Sequence, residues 1–266
     1  MYEEFWGLKE KPFENTPDPR FLYSSGQHDE ALSRLVYVVM ENKGAGMLTG
    51  VFGCGKTLLG RSLLGELEKD VYKVAYLTNP RMEDIDLLRV IAHHLGSPEL
   101  PVSKSDILIS LEKTFANNMR DGKKTVIIID EAHVIEKDSV FEEIRLLLNY
   151  QLEDKFLLTL ILLGQPELKD KVESNKQLLQ RIAMRYHLKG LSQGETEKYI
   201  KHRLNIAGST KDIFAPESLR LVFVRSAGIP RRINQICDMS LLTGFSKKVN
   251  TIDESIVIEG IESLER

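Results

Sequence analysis

The sequence predicts an α/β fold: a parallel sheet sandwiched by helices, followed by a separate all-helical unit. Three observations carry this. Short apolar runs alternate with amphipathic helical segments from about residue 31 to residue 163, the pattern that winds a parallel sheet with helices on both faces. The run Met47-Leu48-Thr49 leads directly into a glycine-rich loop, Gly50-Val51-Phe52-Gly53-Cys54-Gly55-Lys56-Thr57, in the strand–loop–helix order of a phosphate cradle. After Gly190 the apolar spacing becomes purely helical, and no strand pattern follows.

In chain order, the first segment, to about Tyr23, is rich in proline and aromatic residues and shows no period, which reads as a strap. Ala31, Leu32, Leu35, Val36 and Val39 share one helical face. After the loop, Thr57 to Leu67 continues as a helix. Val74 to Leu77 reads as a strand, Ile85 to Leu95 and Ile107 to Asn117 as amphipathic helices, and Thr125 to Ile129 as a buried strand. Leu157 to Leu163 is almost wholly apolar, as a central strand covered on both faces must be. Tyr186 to Lys189 reads as an edge strand. Glu195 to Ile206, Pro216 to Ala227, Pro230 to Phe245 and Asp253 to Leu264 read as four helices, with Pro216 and Pro230 suited to first-turn positions and Gly208 and Gly228 as stops. The domain expectation is a strap over residues 1–25, a sheet domain over 26–190 and a helical lid over 191–266.

The chemistry gathers at two motifs. In the glycine-rich loop, Gly50, Gly53, Cys54 and Gly55 turn backbone N–H groups toward phosphate oxygens, with Leu58 entering the helix behind. Lys56 supplies a point charge for the β and γ phosphates, and the Thr57 hydroxyl is a ligand for Mg²⁺. The apolar run from Val126 ends in Asp130-Glu131. Asp130 is placed to face that metal, and Glu131 to orient and polarise the attacking water. Asp130-Glu131-Ala132-His133 is also a tetrapeptide familiar from helicases, but no further helicase motif accompanies it.

Four polar residues are candidates to touch the γ-phosphate. Gln165 follows the strand Leu157 to Leu163. Arg181 and Arg185, four apart, are read as sharing one helical face, and Arg231 lies on the first turn of a helix after Gly228-Ile229-Pro230. An arginine supplied by a neighbouring subunit would make hydrolysis depend on assembly.

Composition narrows the class. The chain has 266 residues, 42% hydrophobic and 28% charged, with a net charge of −3, so neither a basic tail nor a basic domain announces nucleic acid. Its most apolar stretch, Phe156 to Gly164, is far shorter than the roughly 20 residues that cross a bilayer. No membrane span or signal peptide is expected, and a cytoplasmic setting is. Cys54 and Cys237 show no metal-type spacing. A thiol at a helix N-terminus, as at Cys54, invites a redox reading, and small residues of any kind fit that loop. His93 and His94 are adjacent and so cannot form an i, i+4 metal pair.

These motifs together resemble the AAA+ P-loop ATPases. Walker A matches Gly50 to Thr57, Walker B Val126 to Glu131, sensor 1 Gln165, the finger Arg181 or Arg185, and sensor 2 Arg231. More narrowly, the chain is similar to the ExeA/GspA group of secretion-pathway ATPases. The shared features are Met1-Tyr2 with Phe5, Gly7-Leu8 and Pro12-Phe13, then Pro17-Asp18-Pro19-Arg20-Phe21-Leu22 and His28 with Glu30-Ala31-Leu32. Further along they are Leu163-Gly164-Gln165-Pro166-Glu167-Leu168, Gln180-Arg181-Ile182 and Tyr186-His187-Leu188.

The resemblance implies ATP rather than GTP, with the strap residues Phe21 and Leu22 near the adenine. It implies self-assembly into a ring or filament, ATP-driven action on a protein partner of a secretion or envelope machine, and possible recruitment to the inner membrane by partners. Transposition regulators of the TniB, TnsC and MuB type share the same core and keep a DNA-bound filament open as an alternative, as is a nucleotide-gated scaffold with negligible turnover. The loop departs from the group at Val51-Phe52 and Cys54. Full-length group members continue into a membrane span and a peptidoglycan-binding domain, so the sequence is expected to be either a free-standing relative or a piece that stops before the span.

Overall fold

The computed structural model describes residues 1–15, 18–21, 23–97, 102–152 and 155–265. In chain order the elements are α1 (Glu3–Trp6), α2 (Gly26–Met40), β1 (Ala45–Gly50), α3 (Lys56–Glu66), β2 (Tyr72–Leu77), α4 (Asp84–His94), α5 (Lys104–Arg120), β3 (Lys124–Ile129), α6 (Asp138–Leu147), β4 (Gln151–Leu152), β5 (Lys155–Phe156), β6 (Leu158–Gly164), α7 (Glu167–Ser174), α8 (Lys176–Arg181), β7 (Ile182–Leu188), α9 (Gln193–Ile206), α10 (Pro216–Ser226), α11 (Pro230–Lys247) and α12 (Glu254–Leu264). Two compact units result, one of His28–Phe52 with Leu59–Leu188, the other of Met1–Gln27, Gly53–Leu58 and Lys189–Arg266.

The sheet unit is the α/β fold that the alternating pattern predicts. Its five strands run parallel in the order β2-β3-β6-β1-β7. β1 and β6 are buried at every position and β3 at all but its first, which is why Val126–Ile129 and Leu158–Leu163 tolerate no alternation of polar residues. The register pairs Thr49 with Gly164 and Ile129 with Leu162. The carboxyl ends of β1, β6 and β3 therefore finish side by side, where ligands of parallel sheets collect. A core of Leu, Ile and Phe from α4, α5 and α6 fills one face. The two-residue strands β4 and β5 pair antiparallel as a small hairpin outside the main sheet.

One sequence expectation is corrected here. Arg181 and Arg185 do not share a helical face, because α8 stops at Arg181 and β7 starts at Ile182. Strand pairing decides this: Met184, Arg185 and Tyr186 lie opposite Gly46, Met47 and Leu48 of β1, and this pairing with β1 outweighs the local helix preference of Ala183 and Met184.

The second unit is built on α9–α12. Ser192 and Glu195 form a reciprocal capping box that starts α9, and Pro216 and Pro230 sit at first-turn positions of α10 and α11. The N-terminal segment belongs to this unit's core, which buries Tyr2, Trp6, Leu8 and Phe13 among Leu204, Phe214, Leu241 and Ile261. The Trp6 indole donates to the Leu241 carbonyl at 3.0 Å. Arg203, buried on α9, donates to the carbonyls of Pro12 at 2.5 Å and Glu14 at 2.9 Å, fixing the segment as it leaves the core.

Candidate functional site

The loop residues Gly53–Leu58 are shaped by two backbone angles. Gly53 has φ +83° and Gly55 φ +105°, conformations open to glycine at little cost. A Cβ at Gly53 would also stand 2.6 Å from Cβ of Arg231. The Arg231 N–H donates to the Gly53 carbonyl at 3.2 Å, so the first turn of α11 is joined to the loop through backbone. Lys56 opens α3 and is only 5% exposed, with its Nζ 3.9 Å from the Cys54 sulfur. Thr57 and Leu58 follow in the first turn, both half-buried. The Cys54 thiol is wholly buried, which places it in packing beneath the loop.

A glycine cradle that a Cβ would fill, a buried ammonium and the first-turn N–H groups of an eleven-residue helix fit a polyphosphate.

In the sheet unit, Asp130 caps β3 and is 2% exposed. Its backbone N–H donates to Leu77 at 2.8 Å, extending the ladder by one bond. The Tyr76 hydroxyl donates to its Oδ2 at 3.1 Å, and the Glu131 N–H to its Oδ1 at 2.9 Å. Burial, and then the Asp130 charge, push the Tyr76 hydroxyl well above the ordinary tyrosine range, so it stays a donor at any physiological pH. Tyr76 was not among the expected site residues. Its place comes from strand register and not from local spacing: Tyr76 lies opposite Ile128 in the parallel pair, and Ile128 and Asp130 share a face two residues apart.

Glu131 takes a left-handed backbone conformation, φ 55°, and starts a 3-10 turn over Ala132–Val134. That turn brings His133 back beside it, with His133 Nδ1 3.3 Å from Glu131 Oε2. His133 Nε2 lies 3.0 Å from Nε2 of Gln165, the residue just past β6. A Cβ at Gly164 would meet Leu168 at 2.8 Å and the His133 backbone nitrogen at 3.2 Å. Only glycine lets the end of β6 approach the turn this closely. Lys171, also unexpected, fastens the turn by donating to the carbonyls of His133 at 2.6 Å and Ile135 at 2.5 Å.

The structure therefore gathers Asp130, Glu131 and Gln165 at neighbouring strand ends, and Gly53, Cys54, Gly55, Lys56 and Arg231 around the loop. Arg181 donates to Asn149 at 3.2 Å and lies 5.9 Å over the Phe156 ring. Arg185 is exposed on the edge strand β7, 3.7 Å from Glu173. Phe21 is buried in the helical unit with the Arg203 guanidinium 4.8 Å above its ring. Leu22 lies outside the described residues. His93 and His94 are exposed neighbours at the end of α4, and among the described residues no group of three or more side chains is arranged to hold a metal by itself.

Residues 39–172, with the loop, both acidic residues and Gln165, match the AAA domain family. The chain belongs to that family. This AAA chain is 39% identical over 251 residues to general secretion pathway protein A of Aeromonas hydrophila, a match covering 93% of the chain and 45% of that protein, in keeping with its ExeA/GspA-like motifs. It is 28% identical over 185 residues to an HTH-type transcriptional regulator of Methanocaldococcus jannaschii, covering 68% of the chain and 45% of that protein. The chain spans less than half the length of either relative. Among solved structures, the Aeropyrum pernix ORC1 protein in complex with DNA superposes at a TM-score of 0.72 with 17% identity, over 96% of this chain and 70% of that one. The ADP form of Aeropyrum pernix ORC2 gives 0.69 at 18% identity, over 96% and 73%, and a Thermotoga maritima RuvB 0.61 at 20%, over 91% and 70%. The shared fold is the AAA+ P-loop fold. Among the described residues, no helix is long and apolar enough to cross a membrane.

Proposed function

We propose that this AAA domain binds ATP with Mg²⁺ and hydrolyses it to ADP and phosphate. The observation that carries the reading is the glycine-shaped loop around a 5%-exposed lysine, Gly53 to Lys56. The Lys56 ammonium stands beside the first-turn N–H groups of α3, where the helix terminus adds to its positive charge, and a triphosphate is the anion that suits that combination. Bound Mg²⁺, with Thr57 and Asp130 as its protein ligands, neutralises charge on the phosphate oxygens. Gly50, Gly53, Cys54, Gly55, Thr57 and Leu58 offer backbone N–H groups, and Lys56 holds the β and γ phosphates. Glu131, 37% exposed at its side chain, orients the attacking water, while Gln165 and Arg231 contact the γ-phosphate. Arg181 or Arg185 completes a neighbouring subunit's site, and Phe21 and Leu22 lie near the base. In this reading residues 1–25 act as the strap, 26–190 as the nucleotide-binding domain and 191–266 as the lid.

The biological setting follows from general secretion pathway protein A, whose identity with this chain runs over 93% of it. The proposal is an oligomeric ATP-driven switch or motor, cytoplasmic or recruited to the inner membrane by its partners, that acts on a protein of a secretion or envelope assembly system. The likeness to an HTH-type transcriptional regulator favours a second reading, a DNA-associated regulator, against which the net charge of −3 weighs.

Phosphate release with Mg²⁺-ATP, measured for the native chain and for Glu131→Gln with and without duplex DNA, tests both. Turnover lost in the variant supports the ATPase, and equal release from the two would leave a nucleotide-gated scaffold. DNA affinity that falls steeply with salt, together with stimulated turnover, would select the second reading.

A further inference from the structure

We propose that His133 is a positioning residue that links the Glu131 carboxylate to the Gln165 amide, so that the water-orienting group is aimed through the phosphate-sensing one. The proposal rests on the ATP-hydrolysing reading above. The three side chains lie in line: Gln165 Nε2 is 3.0 Å from His133 Nε2, and His133 Nδ1 is 3.3 Å from Glu131 Oε2.

Hydrogen-bond chemistry at the two ends selects the same imidazole. A carboxylate only accepts, so the nitrogen facing Glu131 must carry the hydrogen. The amide nitrogen of Gln165 only donates, so the nitrogen facing it must be bare. Both demands are met by one neutral tautomer, Nδ1–H with a free Nε2 lone pair. Turning the Gln165 amide over would present its oxygen to that lone pair, so the tautomer that serves Glu131 also fixes which way the amide points. The Nδ1 atom is buried and makes no aligned hydrogen bond as it stands. Glu131 Oε2 stands 3.3 Å from it, and the proposal is that rotation of that exposed carboxylate aligns the bond.

The mounting is rigid on every side. Lys171 holds the two carbonyls of the turn, the left-handed Glu131 folds the turn back, and the missing side chain at Gly164 admits His133. The His133 side chain is 13% exposed and that of Glu131 37%. The imidazole thus stands behind the carboxylate and has no need to touch substrate. Displacement of Gln165 at the phosphate end would be felt at Glu131 through one ring.

The test is steady-state ATP turnover and Mg²⁺-ATP affinity for His133→Ala, His133→Phe, Gln165→Ala and the double variant His133→Ala/Gln165→Ala, with Glu131→Gln as the control. His133→Ala is expected to lower kcat about tenfold or more, a size typical for losing an orienting neighbour, with nucleotide affinity and thermal midpoint unchanged. His133→Phe, which keeps ring volume without nitrogens, is expected to lose as much. The double variant is expected to be no slower than the slower single variant. Full turnover in the Phe variant would make the role packing and overturn the proposal, as would multiplying losses in the double variant. Affinity or melting falling in step with kcat would also overturn it. A native chain without turnover sinks the ATPase reading and this role together, whereas turnover sensitive to Glu131→Gln but indifferent to His133→Ala sinks only the role.

Discussion

Gly53 and Arg231 are joined backbone to backbone, with the arginine N–H 3.2 Å from the glycine carbonyl and no room for a Cβ between them. The glycine-rich loop and the first turn of α11 are therefore one mechanical piece, and the Arg231 side chain starts from the loop's own wall. Gly53→Ala should cost about 1–3 kcal/mol, the range for a non-glycine residue in a strained region, and should weaken nucleotide binding because α11 must shift to admit the methyl. Thermal unfolding read beside nucleotide titration checks this. An alanine variant with native melting and native affinity would show that the loop is not held as described.

Lys56→Ala separates binding from stability. The ammonium is 5% exposed at the loop, and the melting curve of the empty variant, read beside the titration, separates loss of binding from loss of fold. Affinity for Mg²⁺-ATP should fall about 10-fold to 100-fold, the worth of one charge-assisted bond. Calorimetric titration of the variant reads this directly.

Glu131→Gln should do the reverse. Amide for carboxylate preserves size and removes the base, so turnover should drop about 100-fold or more while nucleotide affinity holds. Equal loss of affinity would mean that Glu131 binds rather than positions water.

The buried tyrosines set an alkaline limit. Tyr76 is raised by burial and by Asp130, Tyr2 by burial and its hydrogen bond to Asp238, and Tyr199 by burial against the opposing effect of Arg203. Each has a folded value above its unfolded one, so the unfolded chain releases these protons first, from roughly pH 10. Their contribution to stability is complete below that pH and is lost as pH climbs beyond it. In an alkaline titration, their phenolate absorbance should appear only with loss of helical circular dichroism. Early, reversible ionisation of all eight tyrosines would contradict the burial.

Elements whose place is written in local spacing could be read from sequence. The loop at 50–57 and the acidic pair at 130–131 each combine a strand end with a fixed residue order, and the apolar run at 157–163 could only be a covered strand. The pieces that escaped depend on what lies beside them. Arg185 looked helical until β7 was seen to pair with β1. Tyr76 reaches Asp130 only because two strands share a register. His133 gained its neighbours from a left-handed residue before it and a glycine thirty-one positions later. No periodicity in the chain encodes any of these relationships.

The arginine candidates give the sharpest test of assembly. Arg181 ends α8 against Asn149, and Arg185 stands exposed on the edge strand, so neither carries a contact within the sheet unit that the motifs at 130–131 and 165 require. If one of them completes a neighbour's site, its alanine variant should lose turnover on the order of 10³-fold in the strongest case while binding Mg²⁺-ATP normally. A subunit lacking Lys56 keeps its arginines, and a subunit lacking the finger keeps its loop. Mixing the two inactive proteins builds interfaces where an intact loop meets an intact arginine, so activity should return in the mixture and rise steeply with total protein. A mixture no more active than the sum of its parts would place the arginine's action within its own subunit.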